Sequence, residues 1–98
     1  MKDISEIINI LKQNRGIFSR YGLTLLGVFG SYVKGKQTPE SDLDILVEIE
    51  NDENITLFSL GELETTINTI TGIDCDIVLN ENLKPNIGKV IREELIKI

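Results

Sequence analysis

The sequence predicts an α/β fold, of the α+β kind, in which a small mixed three-stranded sheet is covered on one face by helices. Three observations carry this reading. Leu23 to Phe29, Leu43 to Ile49 and Ile73 to Leu79 are short apolar segments of strand length, set off by glycines or polar turns. The stretches around and between them carry apolar residues at helical spacing. The chain has 98 residues, enough for one small domain, so 1–98 reads as a single unit; a core that small must be strongly apolar, and 41% of the residues are hydrophobic.

The elements follow in order. Ile4, Ile7, Ile8, Leu11, Phe18 and Tyr21 keep close to a 3.6-residue period and predict one helix, with Gly16 a weak point in its middle. Asp3 with Glu6 three residues on resembles a capping box, and Gly22 is placed to end the helix. Leu23 to Phe29 is a buried strand followed by Gly30. A short helix starts at Ser31 and ends near Gly35, and Gln37 to Ser41 is a turn-rich loop. Leu43 to Ile49 is the second strand and Asn51 to Asn54 a polar loop. Leu57, Leu60, Leu63, Ile67 and Ile70 mark a helix stopped by Gly72. Ile73 to Leu79 is the third strand. Ile87, Val90, Ile91, Leu95 and Ile98 mark a last helix, with Pro85 in its first turn, where a missing N–H does no harm. The predicted order is α-β-α-β-α-β-α.

Composition excludes several classes of function. The net charge is −6 and there is no basic run, so the chain is not expected to hold a nucleic acid unaided. The one cysteine, Cys75, cannot form an intramolecular disulfide, and a reducing cytoplasm is the expected setting. No apolar run approaches the ~20 residues of a membrane-spanning helix. The start, Met1 to Glu6, lacks the layout of a signal peptide, and no membrane association is expected.

Strand periodicity concentrates the chemistry. In the second strand Leu43, Ile45, Val47 and Ile49 share one face, and Asp42, Asp44, Leu46 and Glu48 the other. In the third, Ile73, Cys75, Ile77 and Leu79 oppose Asp74, Asp76, Val78 and Asn80. The helix between them is long enough for a parallel crossover, so the two strands start side by side. Asp42, Asp44, Asp74 and Asp76 are then neighbours on the face away from the helices. The shorter connection from Gly30 to Asp42 suits an antiparallel first pair, which sets Gly30 and Ser31 beside Asp42. Crowded carboxylates repel and are relieved by shared protons or bound cations, and hard oxygen ligands suit Mg²⁺, expected as two ions. Gly30 lets a phosphate approach the backbone, Ser31 opens a helix whose N–H groups face an anion, and Lys34 adds a positive charge one turn on.

These residues resemble a known signature. Gly30-Ser31, Gly35 and Ser41-Asp42-Leu43-Asp44 are similar to the motif of the DNA polymerase beta-like nucleotidyltransferases. Phe29 to Gly35 followed by Ser41 to Val47, then Cys75-Asp76-Ile77-Val78, Leu83-Lys84-Pro85 and Ile91-Arg92-Glu93-Glu94, resemble the stand-alone minimal nucleotidyltransferases of the MNT type over nearly the whole chain. The resemblance implies the polymerase beta-like nucleotidyltransferase fold and roles for named residues. Asp42 and Asp44 would hold both metals. Asp76 would hold the catalytic metal and help to activate the attacking hydroxyl. Gly30 and Ser31 would bind the β- and γ-phosphates of ATP or another nucleoside triphosphate. Many such proteins are encoded beside a HEPN-type ribonuclease toxin and act as its antitoxin, some by adenylylating it. The implied function is therefore transfer of a nucleotide, AMP from ATP, to a hydroxyl of a partner protein. A non-catalytic binding module of the same fold, or a transferase acting on RNA ends or a small molecule, are the alternatives. One departure is visible: Lys34 stands where the family usually has Arg, which keeps the charge but loses the bidentate fork. Of the remaining candidates, Asp74 reads as a solvated strand-edge residue and Cys75 as a core residue. Glu48 and Glu50 read as solvated, and Arg92 and Glu94 as surface or interface residues.

Overall fold

A computed structural model describes residues 3–53 and 55–98. Met1 and Lys2, and Asn54 at the end of the expected polar loop, lie outside the described residues. Helix α1 spans Ile4–Gln13 and starts where expected: the Asp3 carboxylate accepts the Glu6 backbone N–H at 2.9 Å. The single helix expected through Tyr21 is instead two. At Asn14 the side-chain amide donates to the Ile10 carbonyl at 2.7 Å, and the backbone leaves helical geometry at φ −116°. A polar side chain that competes for the helix's own carbonyls ends it there. Helix α2 follows as Arg15–Arg20. The break lets α1 bury Ile7 and Leu11 while α2 aims Phe18 into the same core.

Strand β1 is Leu23–Phe29, α3 is the single turn Ser31–Lys34, and β2 is Leu43–Ile49. β1 and β2 pair antiparallel, as their short connection requires, with Phe29 opposite Asp44 and one register shift between Leu25 and Gly27. Helix α4, Leu57–Thr71, crosses over to β3, Cys75–Leu79, which pairs parallel with β2. Thr56 and Ser59 form a reciprocal capping box at the start of α4. One face of the sheet presents Leu43, Ile45, Val47 and Cys75 to a core completed by Leu63 and Ile67 of α4 and by α1 and α2. Each of these large aliphatic side chains contributes about 1.5–3 kcal/mol when fully buried.

The C-terminal segment departs from expectation. A 3₁₀ turn at Asn80–Asn82 leads to α5, Pro85–Glu94. The predicted helix does not run on to Ile98. Leu95 is extended, and Ile96–Lys97 form a fourth strand, β4, antiparallel to β1 at Gly27 and Val28. The Ile98 N–H adds a bond to the Leu26 carbonyl at 3.0 Å. The free edge of β1 offers this tail backbone partners, and Ile96 and Ile98 are β-branched residues at strand spacing. Gly27 makes the approach possible, because a Cβ there would collide with the Ile96 carbonyl oxygen. The sheet order is β3-β2-β1-β4, four strands rather than three.

The second face of the sheet is partly covered. Leu46, on the Asp44 side by alternation, is fully buried yet outside the main core cluster. Helix α5 is fastened on this side: Arg92 donates to the Asn80 side-chain oxygen at 2.7 and 3.1 Å, and Glu94 reaches Gly30. Among the described residues, no helix is long and apolar enough to cross a membrane.

Candidate active site

Strand pairing places the carboxylates. Asp44 lies directly opposite Asp76 in the parallel β2–β3 ladder, and opposite Phe29, the last residue before Gly30, in the antiparallel one. Asp42 lies just ahead of β2. Asp42 and Asp76 are exposed, whereas Asp44 is recessed between its neighbours. Burial first, and then the negative charges of Asp76, Asp42 and Glu94, together push the Asp44 carboxyl up from its ordinary 3.8 to about 6. Asp74 stands apart: it precedes β3, is exposed, and contributes its backbone carbonyl to the Leu43 N–H at 2.8 Å.

Gly30 closes the other side of the site. Its φ of +85° is a conformation that side chains disfavour, and a Cβ at this position would fall on the Asp44 carboxylate. Glycine is needed here so that the recessed carboxylate can lie against the backbone. Ser31 starts α3 and is half-buried. With a single turn, α3 has little dipole to offer an anion. The local positive groups are instead the Gly30 N–H and the Lys34 ammonium, and both are engaged. Gly30 donates to Glu94 Oε1 at 3.1 Å, and Lys34 Nζ is 3.1 Å from Glu94 Oε2.

Sequence reasoning missed Glu94, which it read as a surface or interface residue. The one local signal was the short alternation of Ile96, Lys97 and Ile98, which fits a strand but is too brief to exclude more helix. A second acidic residue, Glu64 of α4, was also missed. Burial raises its pKa, with Asp76 and Asp42 adding to the effect. Cys75 is a core residue as expected: it is buried, its thiol donates to the Glu64 carbonyl at 3.6 Å, and burial pushes it up to about 12. A thiol so hard to ionise is a poor nucleophile.

The donor set suits a hard divalent cation. Asp42, Asp44 and Asp76 supply carboxylate oxygens only, and burial together with anionic neighbours disfavours the charged form of Asp44 when no cation is bound. Among the described residues, no group of three or more His, Cys, Asp or Glu side chains is arranged to hold a metal ion, so side-chain movement would be needed for all three aspartates to reach one cation.

Comparison with known proteins places the chain in a family. The nucleotidyltransferase domain family matches residues 4–98. A Methanocaldococcus jannaschii protein provisionally named a protein adenylyltransferase is 40% identical over 101 residues, with all of both chains covered. The protein adenylyltransferase MntA of Thermococcus cleftensis is 35% identical over 99 residues, covering 100% of this chain and 98% of that one. A solved structure provisionally described as a minimal nucleotidyltransferase superposes with a TM-score of 0.81 at 28% identity, covering 99% of this chain and 97% of that one. A chain of a toxin–antitoxin crystal structure with AMP-PNP superposes with a TM-score of 0.57 at 28% identity, over 82% of this chain and 59% of that one. The chain belongs to the nucleotidyltransferase domain family, and the enzyme class of its fold and relatives is nucleotidyltransferase.

Proposed function

We propose that this chain is a Mg²⁺-dependent protein adenylyltransferase that moves AMP from ATP to a hydroxyl of a partner protein, as the antitoxin of a HEPN-type toxin in the cytoplasm. The observation that carries the reading is the placement of Asp44 opposite Asp76 in one ladder and beside Gly30 in the other. Acidic groups, the Gly30 N–H and the Lys34 ammonium then share one end of the sheet. The names of the relatives support the protein acceptor, and the nucleotide in the toxin–antitoxin structure supports an adenine nucleotide. The exposed apolar side chains of Leu57 and Phe58 on α4 and of Ile87 and Val90 on α5 fit a chain that meets another protein.

In this reading Asp42, Asp44 and Asp76 hold Mg²⁺, which would neutralise charge on the triphosphate when bound. The Gly30 N–H, Ser31 and Lys34 hold the β- and γ-phosphates and leave the α-phosphorus facing the carboxylates. The acceptor oxygen attacks the α-phosphorus. Its bond to that phosphorus forms as the bond to pyrophosphate breaks, and the hydroxyl proton passes to Asp76. Asp76 suits this role because it is exposed on an edge strand, where a partner's side chain can reach it. The partner presents its own acceptor hydroxyl to the exposed Asp76.

Intact-mass spectrometry of the co-expressed neighbouring gene product tests this, comparing wild type with Asp76→Ala. Added mass in steps of one AMP, lost in the variant while the complex persists, is expected. An unmodified neighbour that both proteins still neutralise would leave only a binding module, and modified tRNA would move the acceptor to RNA.

A further inference from the structure

The carboxylate of Glu94 sits where the proposed function puts phosphate. One oxygen accepts the Gly30 N–H at 3.1 Å and the other pairs with Lys34 Nζ at 3.1 Å. These are the donor and the cation assigned above to the β- and γ-phosphates. A carboxylate held by one N–H and one ammonium satisfies the same hydrogen-bonding needs as a phosphate oxygen pair. The contact is also built. Helix α5 ends at Glu94, and the next residues run as β4 against Gly27 and Val28, so the backbone on the C-terminal side of Glu94 is tied to the strand that leads into Gly30. The close packing of Ile96 on Gly27 leaves no slack in that tie.

We infer that Glu94 is an internal competitor of the nucleotide, a carboxylate that occupies the Gly30 N–H and the Lys34 ammonium (together the phosphate notch) in the nucleotide-free protein and must swing out when a triphosphate enters. The inference rests on the assignment of Gly30 and Lys34 to phosphate. Solvent reaches both partners of the pair, since the Glu94 side chain keeps 20% of its surface exposed and Lys34 keeps 50%. Displacement also removes one of the negative charges that crowd Asp44. The competitor therefore suppresses binding of free phosphate and other weak anions more than it suppresses a Mg²⁺-bound triphosphate, which replaces both of its contacts and brings its own cation.

Calorimetric titration with MgATP tests this on wild type, Glu94→Gln and Glu93→Gln. Glu93 is exposed on the same turn, so its variant makes the same change in net charge and controls for it. Glu94→Gln is expected to bind MgATP about five- to tenfold more tightly than wild type, the scale of one partly exposed ion pair with a charge-assisted hydrogen bond. Glu93→Gln is expected to stay within about twofold of wild type, since exposed charge contributes little. Binding by Glu94→Gln that equals the control or is weaker than wild type would overturn the inference and leave the nucleotide site standing. Failure of MgATP to bind any of the three would overturn the site assignment, and the inference with it. A second measurement needs no variant: in wild-type protein with ¹³C-labelled glutamate, the Glu94 carboxyl resonance should move to the position of a solvated glutamate on adding MgATP. A resonance that stays in place while MgATP binds would also overturn it.

Discussion

Asp44→Asn should stabilise the metal-free protein at neutral pH, although it removes a residue from the heart of the site. The Asp44 carboxyl is raised from 3.8 to about 6 by burial and by its anionic neighbours. The folded state therefore binds this proton more tightly than the unfolded chain does. The stability it contributes is fully present below pH 3.8 and is lost as pH rises through about 6. At ~1.4 kcal/mol per pH unit, the rise corresponds to an upper bound of about 3 kcal/mol for ionising Asp44 in the folded protein. The site is open to solvent, and screening reduces this to about 1–2 kcal/mol. Asparagine keeps the shape and removes the charge. At pH 7.5 without metal, the variant should melt about 5–10 °C above wild type, given ~4–8 °C per kcal/mol for a domain of this size. At pH 4 wild-type Asp44 is itself largely protonated and the difference should close. Thermal unfolding followed by circular dichroism, in chelator-treated buffers from pH 4 to 8, measures both. A variant less stable than wild type at pH 7.5 would mean that ionised Asp44 holds the fold together. A gain that does not change with pH would mean that charge is not its cause.

Further outcomes follow from other contacts. Mg²⁺ with ATP should raise the wild-type melting temperature, since a ligand that binds only the folded state stabilises it, and the rise should vanish in Asp42→Asn with Asp44→Asn; an equal rise there would remove the metal site. Gly27→Val places a side chain on the Ile96 carbonyl and should detach β4, at a cost of about 1–3 kcal/mol in urea unfolding, and a change under about 0.5 kcal/mol would show that the tail is not packed there. Thr56→Ala removes the acceptor of the Ser59 N–H, 3.1 Å in the native cap, and should lower stability by about 1 kcal/mol in the same assay.

How far the sequence could be read follows from the range of each interaction. The β2–β3 pair was legible because its cause is local: alternation of apolar and acidic residues selects the faces, and a 15-residue helix between them forces a parallel return. Asp42, Asp44 and Asp76 came together for that reason alone. The break at Asn14 was less visible, because the hydrophobic period carries through it and only the side-chain bond to Ile10 ends the helix. The tail was misread as helix because Leu95 and Ile98 also fit a helical period. What decides between the two is the open edge of β1 and the absence of a Cβ at Gly27, both remote in sequence. Glu94 was lost with the tail. Gly30 was singled out for the approach of a phosphate, whereas the contact the structure shows at Gly30 is with Asp44 and arises from strand register and not from the motif itself.

The same register makes metal and nucleotide dependent on each other in the proposed function. Asp44 is crowded from two sides: by Asp76 and Asp42 along the sheet, and by Glu94 across Gly30. Mg²⁺ at the aspartates relieves the first crowding and leaves the second. A triphosphate without Mg²⁺ would remove Glu94 from the notch but set further negative charge beside an ionised Asp44, so it gains one contact against an added repulsion. Only the two together replace every unfavourable pair with a favourable one: phosphate for Glu94 at Gly30 and Lys34, cation for proton at Asp44. Each ligand should then raise the affinity of the other by the same factor, because the coupling between two sites is reciprocal. Lys34 suits this arrangement. A single ammonium on a flexible stem can move from a carboxylate to a phosphate without the fixed fork of an arginine, which would hold Glu94 in two bonds and make the notch harder to open.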